Sequence, residues 1–441
     1  MFELSTYAVF MLVGFFALLM IGIPVAISLA VTGFVFGWLG FGTTLFNLLP
    51  ARFYGIVSGY QWMAIPLFVF MGVMLEKSRL ADDLLDVMGH IAGGLKGGMA
   101  IGIVLFGVLM GATTGIVGAT IITLGLLTLP TLIRRGYDKS VACGVICASG
   151  TLGQIIPPSL ILILLSDIMQ LSVGTLFAAA VGPGMLLAAI YIVYLVIMGW
   201  LRPGTMPPLP IAERDAVSRR QLWVRFFKVL VPPVMLVVAV LGSIVGGIAA
   251  PTEAASMGAV GAVLITALSG RFTWKTLQAT AVETSKITAM MMFILMTAQV
   301  FALSFRGLHG EDLIAGMFEA LPGGVNTAVW FMMLIIFVLG FFVEWIEISY
   351  IAVPLFLPIL INLGVDPVWL AMLITVNLQS SFLTPPFGWA LFYLKGVAPP
   401  EVNIKDIYKG VVPFIGLQFL ALVLLFLFPQ IALWLPKAIG W

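Results

Sequence analysis

The chain has 441 residues, of which 61% are hydrophobic and only 9% charged, and its mean hydropathy is +1.17. A water-exposed globule of this size carries roughly 25% charged residues, so a soluble enzyme or regulator is excluded. A net charge of +2 with no Lys/Arg-rich stripe likewise leaves no nucleic acid as a partner and points to the lipid bilayer instead.

Apolar runs of about 20 residues, long enough to cross a bilayer, recur along the chain. They are continuous rather than alternating, which favours helices over a barrel. The fold class expected is an all-α polytopic membrane protein. The first run, MFELSTYAVFMLVGFF, lacks a basic leader and a clear cleavage site and reads as a membrane helix, not a removable signal. Next comes an amphipathic stretch, 78–95, flanked by Lys77, Arg79 and Lys96; it suits a helix lying in the interface. Residues 97–133 are too long for one span and too short for two. Their middle is Gly111-Ala-Thr-Thr-Gly115, with Lys96 before and Arg134 after. Charge on the same side at both ends predicts a re-entrant hairpin of two half-helices.

Beyond Arg134, Arg135 and Lys139, residues 138–168 read as a span interrupted at Ser149-Gly-Thr-Leu-Gly-Gln154, just before Pro157-Pro158. Cys143 and Cys147, four apart on that span, are read as small buried packing residues rather than a metal or redox pair. A span over about 172–200 follows, then a linker at 201–224 rich in Pro and Arg. Spans over about 229–248 and 252–270 lead to a second amphipathic stretch, 271–285. Residues 325–362 repeat the hairpin pattern around Gly340-Phe-Phe-Val-Glu344. Residues 366–395 repeat the broken span around Asn377-Leu-Gln-Ser-Ser381, running on to Thr384 and Pro385-Pro386. With basic loops placed inside, the count is about ten full crossings plus two re-entrant hairpins, and both termini lie outside. Arg52 is then an isolated outer charge, and His90 and His309 are incidental surface residues.

The two patterns are one pattern repeated. A constant offset of 228 carries Pro130 onto Pro358, Gly136 onto Gly364, Asp138 onto Asp366 and Pro157-Pro158 onto Pro385-Pro386. It also carries Ser28 onto Ser256 and Gly33 onto Gly261. The loop at Gly136 is strongly basic, whereas its counterpart at Gly364 carries no Lys or Arg. The repeats, 1–200 and 225–441, are therefore expected to be inverted, as in secondary transporters with a site near the midplane.

Opened helices leave carbonyl oxygens for a hard cation, and half-helix N-termini face anions. Hydroxyls of Thr113, Thr114, Ser149 and Thr384 and the amide of Asn377 suit the same work. Gln154 and Gln379 either line a substrate path or bond neighbouring backbone. Small residues at these breaks also suit close helix packing; four clusters at repeat-related breaks favour function. A carboxylate inside an apolar hairpin is costly and marks a functional position. Glu344 is the expected ion or proton ligand, and Glu347 either supports the next helix or faces a partner.

The segments GATTGIVGAT, ASGTLGQIIPPSL, APTEAASMGAVGA and VNLQSSFLTPPFGWALFYLKGVAP resemble the large membrane subunit of tripartite ATP-independent periplasmic (TRAP) transporters, over essentially the whole chain. Val343-Glu344-Trp345, where the family often has Leu-Asp-Pro, resembles the mannitol/chloroaromatic-type subgroup. The resemblance implies a multi-pass protein of the bacterial inner membrane with an elevator-type ion-transporter fold. It implies Na⁺-driven import of a small organic acid, delivered by a periplasmic binding protein, beside a small four-helix membrane subunit. Carried over, one Na⁺ site draws on Gly111, Thr113, Ser149 and Gly153, and a second on Gly340, Glu344, Asn377 and Thr384. The substrate then lies between Thr114 and Asn377, with Ser149, Gln154 and Gln379 beside it. The competing reading is a stand-alone ion-coupled carboxylate carrier or exchanger without a binding protein. A membrane enzyme lacks a catalytic constellation, and a channel lacks rings of filter ligands.

Overall fold

The computed structural model describes residues 4–78, 87–114, 117–209, 218–319, 321–385 and 388–441. Among the described residues there are helices and turns but no strand. The first half holds α1 (Leu4–Met20), α2 (Val25–Phe41), α3 (Thr44–Val57), α4 (Ala64–Lys77), α5 (Gly98–Thr114), α6 (Val117–Arg134), α7 (Lys139–Thr151), α8 (Leu160–Ile168) and α9 (Val173–Leu201). The second holds α10 (Arg219–Val245), α11 (Pro251–Leu268), α12 (Trp274–Gly307), α13 (Gly310–Glu319), α14 (Gly324–Leu339), α15 (Trp345–Asn362), α16 (Pro367–Leu383), α17 (Trp389–Val397), α18 (Ile404–Leu427) and α19 (Gln430–Ala438). Seven of the described helices are long and apolar enough to cross a membrane, and five shorter apolar helices accompany them.

The helix ends follow from a few punctuating residues. After α6, Gly136 takes φ +81 and after α15 Gly364 takes φ +86, a left-handed conformation that costs glycine little. At each, the amide three residues past the helix reaches back to a carbonyl five residues earlier: Tyr137 to Leu132 and Val365 to Leu360, both at 3.0 Å. This is the Schellman ending, which satisfies carbonyls a helix end otherwise leaves orphaned. Two residues after each glycine an aspartate caps the next helix. Asp138 accepts from the amides of Ser140 and Val141 at 2.9 and 3.1 Å, and Asp366 accepts from Trp369 at 2.9 Å, each satisfying first-turn donors.

The offset of 228 carries helix onto helix. It takes α6 onto α15 end for end, and the start of α7 onto the start of α16. It takes α8 to within a residue of α17, and it pairs α2 with α11, α5 with α14, α9 with α18 and α1 with α10. One pairing is unequal: α3, a short 3₁₀ turn at Tyr60–Met63 and α4 together match the unbroken α12. Gly59 stands where α12 has Ile287, and glycine is the residue most easily left out of a helix.

The halves interlace. α2 packs on α12 while α11 packs on α4; α7 packs on α18 while α16 packs on α9; α6 packs on α17 while α15 packs on α8. Each pair exchanges under the repeat, so the main core is shared rather than built half by half.

Three expectations need correction. The amphipathic stretch 271–285 is no separate interfacial helix: from Trp274 it is the first part of α12, which runs 34 residues without a break. Its polar residues are the exposed face of a long helix. The hairpin arms, 16 to 18 residues each, are about 24–27 Å long at 1.5 Å per residue. They are longer than half-helices, so a tip reaches mid-membrane only if the arms tilt. The linker is partly built in. α10 begins at Arg219, and the amides of Gly97 and Asp138 donate to the carbonyls of Met206 and Thr205 at 3.1 and 2.9 Å. The Leu209 amide donates to the Gly93 carbonyl at 2.7 Å. Residues 205–209 thus tie down the base of the first hairpin. Part of 78–95 lies outside the described residues.

Candidate functional site

Both broken spans break where the sequence puts polar and small residues. α7 runs into a 3₁₀ turn at Leu152–Gln154 and helix resumes only at Leu160; α16 stops at Leu383 and helix resumes at Trp389. The hairpin arm α5 presses on the first break so closely that a Cβ on Gly111 would lie 2.4 Å from the Cα of Gly153. In the second half a Cβ on Gly340, at the end of α14, would lie 2.2 Å from the Cβ of Ser381. Gly153 and Ser381 are counterparts under the offset. The same hairpin-on-break contact is therefore made twice, and in each half glycine permits the approach.

The two breaks meet each other. The Gln379 side chain, through Nε2, donates to the backbone carbonyl of Thr151, and these residues stand 228 apart. A residue that touches its own counterpart lies on the axis relating the halves. Gln418 of α18 reaches the Thr151 hydroxyl at 3.5 Å, and the Ser159 hydroxyl donates to the Gln154 carbonyl. Asn377 donates through Nδ2 to the Met333 carbonyl at 2.7 Å. Among the described residues its Oδ1 has no partner, and neither do Ser149 Oγ, Gln379 Oε1, Gln418 Oε1 or the two polar atoms of the Gln154 amide. All five residues are 2% exposed or less. Unpaired buried polar atoms are costly, and a group of oxygens without donors suits a hard cation or a hydrogen-bonding solute.

The expected residues are distributed as follows. Ser149, Gln154, Asn377 and Gln379 lie buried around the two breaks, and Gly111 and Gly153 are in contact. Thr384 spends its hydroxyl on the Ser380 carbonyl at 2.8 Å. Glu344 stands at the N-cap of α15 and, among the described residues, makes no hydrogen bond to Asn377 or Thr384. It lines, with Glu347, a cavity of about 670 Å³ walled by the α1–α2 turn, by α12 and by Trp389. Glu347 is 2% exposed and its Oε2 has no partner among the described residues. The side chains of Thr113 and Thr114, the tip residues 115 and 116, and Pro386 lie outside the described residues. A second cavity of about 240 Å³, wholly apolar, lies among α1, α13 and both arms of the second hairpin.

Sequence reasoning missed Gln418 and the part played by Thr151. A lone amide in the apolar run PFIGLQFLALV was the available signal for the first. For the second it was the offset itself, which pairs Thr151 with Gln379.

A family model described as the tripartite ATP-independent periplasmic transporter, DctM component, matches residues 12–431. The ectoine TRAP transporter large permease protein TeaC of Halomonas elongata is 32% identical, over 95% of this chain and 96% of that one. The C4-dicarboxylate TRAP transporter large permease protein DctM of Vibrio cholerae is 29% identical, over 95% of each. In fold the chain is similar to the crystal structure of the Alcanivorax borkumensis YdaH transporter, with a TM-score of 0.63 at 16% identity, covering 97% of this chain and 98% of that one.

Proposed function

The chain belongs to the DctM component family of tripartite ATP-independent periplasmic transporters, an integral inner-membrane large permease subunit, and from that premise we propose that it drives Na⁺-coupled import of a small organic acid. Its proposed partners are a small four-helix membrane subunit and a periplasmic binding protein that hands over the substrate. Relatives of similar identity are named for C4-dicarboxylates and for ectoine. Substrate choice is therefore assigned to the binding protein rather than to this scaffold.

The observation that carries the reading is the meeting of the two broken spans at Thr151 and Gln379. It supports a single site shared by two inverted halves, 1–200 and 225–441, near the membrane centre. Two Na⁺ ions are cargo there, one drawing on Gly111, Thr113, Ser149 and Gly153, the other on Gly340, Glu344, Asn377 and Thr384. The unpartnered oxygens of Ser149 and Asn377 support this placement. The substrate lies between Thr114 and Asn377, beside Gln154 and Gln379. Each hairpin packs on the break of its own half and on the short helix that follows the other break, which favours their moving together as one elevator body against α1–α4 and α10–α12.

The test is uptake into proteoliposomes holding both membrane subunits, with the binding protein added outside. An inward Na⁺ gradient should drive accumulation, and Ser149→Ala and Glu344→Gln should each raise the Na⁺ concentration required. Uptake indifferent to Na⁺ removes the coupling. Uptake without the binding protein turns the assignment to a stand-alone carrier.

A further inference from the structure

We infer that Glu344, Glu347 and Trp389 form a binding site for the ammonium group of a small organic solute, in the cavity between the second hairpin and the α1–α2 turn. The cavity holds about 670 Å³, within the 300–1,000 Å³ usual for small-molecule sites. Among the described residues its lining carries two carboxylates and no Lys, Arg or His. An anionic group entering it meets charge of its own sign, whereas a cation neutralises it.

Glu347 is 2% exposed and its Oε2 lacks a hydrogen-bond partner among the described residues. A buried carboxylate of this kind needs a positive or proton-donating partner. The rest of the wall decides between a metal ion and an organic cation. A hard metal ion takes a shell of about six oxygens and occupies little of such a volume. Here Phe293, Phe342 and Trp389 line the same cavity as the carboxylates, and aromatic faces together with carboxylates recognise ammonium groups. The Trp389 indole N–H is also buried and, among the described residues, unpaired, so it can donate to an acceptor on the same solute. That combination fits a zwitterion, an amino-bearing organic acid, better than a simple carboxylate.

The inference rests on the transport reading for the solute being cargo, but binding at the site does not require transport. The test is thermal stabilisation of the full chain in nanodiscs at constant saturating NaCl, with tetramethylammonium chloride as the probe against KCl at equal ionic strength and tert-butanol as the neutral control. Tetramethylammonium should stabilise saturably and the two controls should not. Glu347→Gln should weaken the apparent affinity at least tenfold, and Trp389→Leu severalfold, each with an unliganded melting temperature near the parent's. If Glu347→Gln does not fold, Trp389→Leu and Glu344→Gln carry the comparison. No saturable shift, equal stabilisation by KCl, or binding unchanged in the variants that fold would overturn the site. Na⁺-driven uptake without ammonium binding sinks this inference alone; ammonium binding without uptake sinks the transport reading alone.

Discussion

Gly111→Ala is the sharpest perturbation the structure offers, because the added methyl has nowhere to go. Its Cβ would sit 2.4 Å from the Cα and 2.8 Å from the N of Gly153. Both atoms are backbone, so no rotamer change relieves the overlap, and α5 must retreat from the break by about 1 Å to restore ordinary contact. Overpacking of this kind costs about 1–3 kcal/mol. Gly102 lies on the same helix, and a Cβ there would meet only Met88 at an ordinary 3.5 Å. Gly102→Ala should therefore be neutral or stabilising by up to about 1 kcal/mol through helix propensity. In the second half, Gly340→Ala would drive its Cβ to 2.2 Å from the Ser381 side chain, and Ser381→Gly in the same chain should relieve it. The assay is thermal unfolding of the purified subunit in nanodiscs, paired with uptake. Equal stability of Gly111→Ala and Gly102→Ala, with no relief of Gly340→Ala by Ser381→Gly, would refute the close hairpin-on-break contact.

Gly136→Ala and Gly364→Ala force a side chain into positive φ and should each destabilise by about 1–2 kcal/mol. The two costs should add in the double variant, as thermal unfolding will show. Gln379→Met removes the donor to a buried carbonyl of Thr151 and should cost about 1–3 kcal/mol. Uptake should fall with it, whereas Gln379→Met with full stability and uptake would detach this contact from the site.

The punctuation of the fold was legible in the sequence because backbone geometry is unforgiving at a few residues. Gly136 and Gly364 require positive φ, and Asp138 and Asp366 supply caps two residues later. From these the helix ends at Arg134 and Asn362 and the helix starts at Lys139 and Pro367 could be placed within a residue or two. Interlacing was not legible, since the apolar pattern of α2 says that a face is buried but not that α12 covers it. The reading of 271–285 failed for a related reason. An exposed polar stripe looks the same on an interfacial helix as on the end of a long one, and only the absence of a breaker corresponding to Gly59 distinguished them. Gln418 went unnoticed because it lies outside any break. That Glu344 shares a cavity with Glu347 was not legible either, because sequence spacing does not say which elements wall a space.

The shared central site requires above all that the two halves run in opposite directions through the membrane. Arg134 and Asn362 are counterparts at the ends of α6 and α15, and both are exposed. The measurement is labelling of Arg134→Cys and Asn362→Cys by a membrane-impermeant maleimide in intact and permeabilised spheroplasts, in a background with Cys143 and Cys147 replaced by alanine. Inversion predicts that Asn362→Cys reacts from outside while Arg134→Cys reacts only after permeabilisation. Labelling of both from one side would contradict the inverted repeat and the shared central site built upon it.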